Sequence, residues 1–317
     1  MLRENSQDHR AVVLRRATDP AQWDELVFAL PAATPFHTWT FLESSARHWG
    51  HAFEPLLALV DDEPVGVVPL VAQKRYGVLR WVNNTKEYAY AGPAVRAEHL
   101  SSVLAAMARR HGLTTMRERQ EVRVDPEFAP DVAGWTHRPG TTMTVHLTGR
   151  TVEDLEKGSS RQFRGSPKRA AEHGLVIESA TDEDLTTAVP ALMQATYGRQ
   201  GLPSPYDDGA YLRVAREFAA RDQLHAVIAR VGDRAAGMGI VLVTGDRSYL
   251  WVTAQDPEFS TAQPSMAVER AHVLWSHERG LAAYDLIGGS TEGIARFKRS
   301  VGAVDEGYTI YERGRRA

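Results

Sequence analysis

The chain has 317 residues, 43% of them hydrophobic and 24% charged, and a net charge of −3. That length suits two domains with sizeable cores, and the near-neutral charge leaves any polyanion contact to local basic patches. There is no cysteine, which excludes disulfides, thiolate metal sites and thiol nucleophiles.

The opening "MLRENSQDHRAVVLRRATD" is polar and mixed in charge, unlike a secretory signal. No apolar run approaches the roughly 20 residues that span a bilayer. The expectation is a cytoplasmic protein with no membrane span.

In chain order, "PAQWDELVFALP" (20–31) and "TWTFLESSARHWG" (38–50) read as helices. "LALVDDEPVGVVPLV" (57–71) then reads as a hairpin turning at Asp61-Asp62. A strand "LRWVNN", the segment "NNTKEYAYAGP" and a helix "EHLSSVLAAMARRHG" follow. A strand ends in "TTMTVHLTGR", and Thr151 is placed to cap the next helix with Asp154 at its third position.

The order then recurs. Two helical segments (182–200 and 209–222) precede "IARVGDRAAGMGIVL" (228–242), which aligns without gaps on the first hairpin, with Gly237 at the offset of Gly66. The strand "SYLWVTA" and the helix "PSMAVERAHVLWSHERG" come next. Each half thus reads helix, helix, hairpin, strand, helix, strand. The expected fold is α/β with mixed sheets, in two copies of one unit, 11–150 and 151–317, with the last strand free to pack back on the first copy.

The final segment is "YDLIGGSTEGIARFKRSVGA" (284–303). The chain holds five lysines against 32 arginines, and one of them, Lys298, follows this glycine turn. From the residues alone, Phe297 is core or a lining group, and Lys298 is a solvated neighbour or an anion-holding cation.

This segment, together with "TPFHTWTFLESSARHWG", "EPVGVVPLV", "YAYAGPAV", "SSRQFRGSPKRAAEHGL" and "LMQATYGRQGLPSPY", resembles the Fem family of aminoacyl-tRNA-dependent aminoacyltransferases. Those enzymes carry tandem acetyltransferase-like (GNAT) domains. The resemblance implies two GNAT-like domains, the first on the acceptor side and the second on the donor and catalytic side. It implies transfer of an aminoacyl group from aminoacyl-tRNA to an amine of a small metabolite or muropeptide, with no cofactor. The family's helical hairpin insertion has no room here.

Acyl-CoA is the alternative donor. A working acetyl-CoA site needs a glycine loop at a helix start, where backbone N–H groups cradle the diphosphate. "PEFSTAQPSMAVERA" has no glycine, and Pro264 removes a donor. "YAGPAVRAEHLSSV" also lacks the pattern. A non-catalytic binding module is the remaining reading.

By the same resemblance Lys298 holds an oxyanion or the terminal phosphate of the tRNA, and Phe297 packs or stacks beside it. Asp285 is a base for the attacking ammonium or a buried acceptor of N–H groups. Tyr249 and Trp251 share one face of a strand, as core or as cleft lining. Tyr206 lies in a Pro/Gly-rich loop of the kind that binds ligands. Lys86 and Tyr90 are candidates for the acceptor, with an unpartnered surface lysine as the other reading of Lys86. Arg161, Arg164, Lys168, Arg169 and Arg299 are candidates for tRNA backbone contact, or solvated helix faces. The twelve histidines are scattered with no His-Glu-x-x-His, so no metal is expected.

Overall fold

A computed structural model describes residues 11–75, 77–83, 89–289 and 291–314. Of these, the residues from 11 to 140 with 307–314 form one compact unit, and those from Thr141 to Glu306 form a second. Among the described residues no helix is long and apolar enough to cross a membrane.

The first unit starts with β1 (Val13–Arg16), α1 (Pro20–Ala29) and α2 (Trp39–Trp49). Asp19 caps α1 by accepting from Ala21 N at 2.9 Å, and Pro20 supplies the preset first turn. There follow β2 (Ala52–Val60), β3 (Glu63–Arg75), β4 (Leu79–Val82), β5 (Ala94–Val95), α3 (Leu100–Arg110) and β6 (Thr115–Val122). β7 (Thr136–His146) carries the chain into the second unit.

There α4 (Val152–Gly158), α5 (Arg161–Arg164) and α6 (Ser166–Glu172) lead to β8 (Leu175–Ser179). Thr151 and Asp154 cap α4 reciprocally, as their spacing predicts. Next come α7 (Asp182–Thr186), α8 (Ala188–Gly198), α9 (Ala210–Ala219), β9 (Leu224–Val231), β10 (Arg234–Thr244) and β11 (Arg247–Gln255). α10 (Pro264–Glu278), β12 (Ala283–Asp285), α11 (Glu292–Val301) and β13 (Val304–Gly314) complete the chain, and β13 returns it to the first unit.

The pairing within the two units is the same. β1, β2, β3 and β4 pair antiparallel in sequence order, as do β8, β9, β10 and β11. A helix then crosses over and the next pair is parallel: β4 with β6 after α3, β11 with β12 after α10. The short leading strands β1 and β8 have no counterpart in the element order read from the sequence.

The repeat extends to a defect. Each hairpin slips by one residue just after its turn, at Val65 in the first unit and Ala236 in the second. Such a bulge twists the strand, and a glycine follows each one. A Cβ at Gly66 would lie 2.5 Å from Ala94 O, and one at Gly237 would lie 2.7 Å from Pro264 Cβ. Each glycine therefore admits a neighbour that no side chain would allow. The first turn puts Asp61 and Asp62 both at positive φ, whereas in the second only Gly232 is.

Each unit buries its own core. In the first, Leu56, Val68, Val103, Leu104 and Tyr311 are at the centre. In the second, one cluster joins Met143, Val145, Leu250, Val273, Tyr284 and Leu286, and another joins Val227, Ala229, Ala236 and Val268.

Asn83, buried and left-handed at φ 47°, stitches the first unit at the end of β4. Its Oδ1 accepts from Val71 N at 2.6 Å, and its Nδ2 donates to Pro69 O, Ala91 O and Gln120 Oε1. Asn83→Ala orphans these groups and puts a Cβ residue less tolerant of that φ in place. The expected loss is about 2–4 kcal/mol of stability, read from the urea midpoint at unchanged slope.

Candidate active site

In the second unit β11 and β12 pair over three residues only, Arg247↔Ala283, Ser248↔Tyr284 and Tyr249↔Asp285. Beyond Tyr249 the first strand runs on to Gln255, while the second stops and enters the glycine turn. Two parallel neighbours that part in this way leave a mouth at their carboxyl ends, the usual place for a ligand in an α/β sheet.

Lys298 closes one side of this mouth. It sits near the end of the second turn of α11, which Thr291 caps by accepting from Ile294 N at 3.2 Å. The Lys298 ammonium donates to Leu286 O, to Ile287 O at 3.1 Å and to Gly288 O at 2.8 Å. All three of its donors are thus committed to the turn. Ile287 is at φ 63° there, a conformation a β-branched residue rarely adopts. Burial lowers the Lys298 pKa to about 8, against the pull of Glu269 and Asp285. Phe297, beside it, packs half-buried on the core.

Asp285 is fully buried. Its Oδ1 accepts from Thr142 Oγ1 at 2.6 Å and from Ile287 N at 2.7 Å. The carboxylate therefore fixes the same turn from the other face of the strand. Tyr249 and Trp251 are both buried; Trp251 is the extra residue of a bulge in β11, and its ring lies 5.6 Å from Tyr211 on α9 and 5.3 Å from Tyr206. The loop residue Tyr206 and the strand residue Trp251 are thus brought together.

At the start of α10, Gln263 is left-handed at φ 55° and Pro264 has no N–H. The Ser265 N–H and hydroxyl both donate to Gln255 Oε1, at 3.3 and 2.8 Å. The first available donor of this helix is held by the protein itself.

On the buried face of α10, below the sheet, lie groups that sequence reasoning did not single out. Tyr284 donates to Glu269 Oε2 at 2.7 Å, and burial raises the Glu269 pKa to about 7. His272 lies one turn further on, Nδ1 to Nδ1 with His225 at 2.9 Å. Glu269 and His272 stand at helical spacing with Met266, Val273 and Ser276, all buried. Charged and imidazole groups interrupting that apolar stripe were the available signal.

The basic residues are spread over short helices. Arg161 and Arg169 are exposed, and Arg164 donates to Ser159 O at 2.5 Å and Glu156 O at 3.2 Å, closing α4. Lys168 lies 3.8 Å from Glu172. Arg299 lies 3.8 Å from Glu292 and 3.6 Å from Asp305. Arg296, on the exposed side of α11, adds a cation to this set.

In the first unit Tyr90 is buried at φ 55°, and its N–H donates to Glu121 Oε2 at 3.2 Å. Arg119 holds the same carboxylate at 2.6 Å, and the Tyr308 ring lies 5.2 Å from that of Tyr90. Burial, with Glu121 next, raises the Tyr308 pKa to about 12. Glu121, Arg119 and Tyr308 were not legible as partners of Tyr90, since they lie 29 or more residues away in sequence. Lys86 falls outside the described residues. Among the described residues no group of three or more His, Asp or Glu side chains is placed to hold a metal.

The duplicated sheet with its parting parallel pair defines a tandem GNAT-like fold, the α/β architecture of acyltransferases. Residues 157–299 match the family model for an acetyltransferase (GNAT) domain. Over 94% of this chain and 96% of the other, the fold is similar to the crystal structure of FemX, with a TM-score of 0.72 and 14% identity. It is also similar to the C-terminal domain (DUF2156) of a protein assigned as a lysylphosphatidylglycerol synthetase from Agrobacterium fabrum. There the TM-score is 0.64, identity is 11%, and 92% and 91% of the two chains are covered. L-PGS from Bacillus licheniformis has a TM-score of 0.61 at 12% identity, with the same coverage. No curated protein matches the chain.

The low Lys298 pKa has a thermodynamic consequence. Between about 8 and the ordinary value of 10.5 the unfolded chain binds the proton that the folded chain has shed, so this group makes stability rise with pH across that window. Lys298→Met removes the contribution. Urea titrations from pH 7 to 11 should show the wild type gaining on the variant between about pH 8 and 10.5, and no gain outside it.

Proposed function

We propose that the protein transfers an aminoacyl group from aminoacyl-tRNA to an amine of a small metabolite or peptidoglycan precursor. The amine nitrogen attacks the ester carbonyl, a tetrahedral oxyanion forms, and the ribose oxygen leaves and takes a proton. The net products are an amide, the free tRNA end and one proton from the acceptor ammonium. Such a transfer is downhill, and aligning the reactants can lower its barrier by about 7–11 kcal/mol.

The observation that carries this reading over acyl-CoA is the start of α10. A diphosphate there needs a row of free N–H groups, and Pro264 with the Ser265–Gln255 pair removes the first of them. An ester borne by RNA makes no such demand. The likeness to FemX supports the same donor.

In this reading Lys298 is the cation of the donor site. Its charge lies under the mouth, where an oxyanion develops, and its bonds hold the turn that edges that mouth. Asp285 also fixes the turn, through the Ile287 N–H, and is the carboxylate assigned to the acceptor ammonium. Phe297, Tyr249, Trp251 and Tyr206 form the apolar surround, and Tyr90 with Lys86 serves the acceptor. Arg161, Arg164, Lys168, Arg169 and Arg299 contact the tRNA backbone.

The test is transfer of radiolabelled amino acid from total charged tRNA to a panel of amines. Label should move only with intact tRNA; transfer surviving ribonuclease, or running from an acyl-CoA, sinks the proposal. The acetyltransferase family match favours that second donor, and a calorimetric titration showing micromolar CoA binding would establish it. Lys298→Ala should lower turnover by about 10²–10³-fold, since it removes a fixed charge beside the reacting carbonyl and frees the turn that the charge holds. Arg161→Gln and Arg169→Gln together should flatten the salt dependence of tRNA binding by about 1–2 units of log K per log salt.

A further inference from the structure

Two polar atoms of α10, Glu269 Oε1 and His272 Nε2, are buried with no hydrogen-bond partner among the described residues. Both side chains are fully buried. They stand three residues apart on one helix face, where side chains are neighbours at about 5–6 Å between Cβ atoms. Buried polar atoms find partners, and for two orphans on one helix face an internal water is the usual one.

The bonds on either side extend the chain. Tyr284 donates to the other Glu269 oxygen, and His272 Nδ1 meets His225 Nδ1. His225 is half-buried and stacks on Trp275, ring centroids 4.6 Å apart and 3° from parallel. The His272 ring is held against β10 at Gly239, where a Cβ would lie 2.3 Å from Nε2. That glycine keeps the ring in place.

We propose that Glu269 and His272 share a proton through one internal water, and that this buried pair, reached from solvent through His225, acts electrostatically on the Lys298 ammonium.

The protons balance in two arrangements. In one, Glu269 is protonated and donates to the water, the water donates to His272 Nε2, and His272 Nδ1–H donates to His225 Nδ1. In the other, His225 has lost its Nε2 proton to solvent and taken the Nδ1 proton from His272. His272 has then taken one from the water, and the water has taken the Glu269 proton. One proton leaves, both imidazoles remain neutral, and every donor keeps an acceptor in both states.

The groups around the pair are consistent with this. Tyr284 of β12 and Lys298 of α11 face Glu269, and His225 of β9 faces His272. β10 presents Gly239, which does not titrate, and β11 presents Ser248, bonded to Ser276. Arg270, also on α10, is spent on Glu156 at 2.5 Å. Burial holds both imidazoles neutral, His225 down to about 4 with Arg279 adding to the effect. Burial raises the Glu269 pKa and lowers that of Lys298, and Lys298 faces both Glu269 and Asp285, so ionising Glu269 favours the charged ammonium and protonating it disfavours that form. The inference does not depend on which acyl donor the protein uses.

The experiment follows the histidine tautomers by long-range ¹⁵N NMR from pH 5 to 9, and the Lys298 midpoint by competitive acylation with mass spectrometry. With five lysines in the chain the labelled peptide is easily assigned. The expected result is that His225 and His272 of the wild type switch tautomer together, without gaining charge. In Glu269→Gln both should hold one tautomer, and the Lys298 midpoint should fall by about one unit. Rings that keep one tautomer throughout in the wild type, a switch that persists in the variant, or an unmoved Lys298 midpoint would each overturn the proposal. The wild-type titration alone decides it if the variant does not fold.

Discussion

A parallel strand pair that lasts three residues is the constraint on which the second unit depends. β12 ends at Asp285, and the carbonyls of the next three residues would be orphans where the chain leaves the ladder. The Lys298 ammonium takes all three, and the Asp285 carboxylate takes the Ile287 N–H. Burying an ammonium is costly, and three carbonyls converging on it offset that cost. The turn is therefore rigid where a ligand would meet it, and the positive charge is held in one place. One lysine serves both packing and charge, so its removal reaches the backbone as well as the electrostatics.

The two units show how one architecture is finished in two ways. Both carry a bulged hairpin, a glycine after the bulge, and a parallel pair made by a crossover helix. At the end of the first unit's pair, Asn83 binds Val71, Pro69, Ala91 and Gln120, stitching three strands and the following turn. The second unit puts a lysine from a helix at the end of its own parallel pair, on the other strand of the two, β12. The first solution is neutral and uses up its own polar groups. The second concentrates charge, with Glu269, Asp285 and Lys298 buried close together. That contrast is the physical reason to look for chemistry in the second unit.

Much of this could be read before any coordinates. The gapless match of the two hairpins foretold the repeat, and the glycines at equal offsets marked the bulges without revealing them. Lys298 drew notice through lysine scarcity and the preceding glycines. Its three carbonyl partners were not readable, because they depend on where α11 starts and how far its side chain reaches back. Alternation puts Tyr249 and Trp251 on one face, but a bulge at Trp251 interrupts it, and only packing showed that the Trp251 ring meets Tyr211 of α9 and Tyr206. The polar seam of Glu269, His272 and His225 was missed, since a helix with mixed residues reads as amphipathic until its neighbours on both sides are known.

Local order therefore came from the chain itself: turn residues, caps and periodicity act over a few positions, so the repeated succession of helices and strands was legible there, the short leading strands β1 and β8 excepted. Tertiary structure decided the rest. It set which strand end parts from its neighbour, which polar atoms are sealed from water, and which lysine is held on a glycine turn. Burial and charge are properties of surroundings, and residues remote in the chain supply those surroundings.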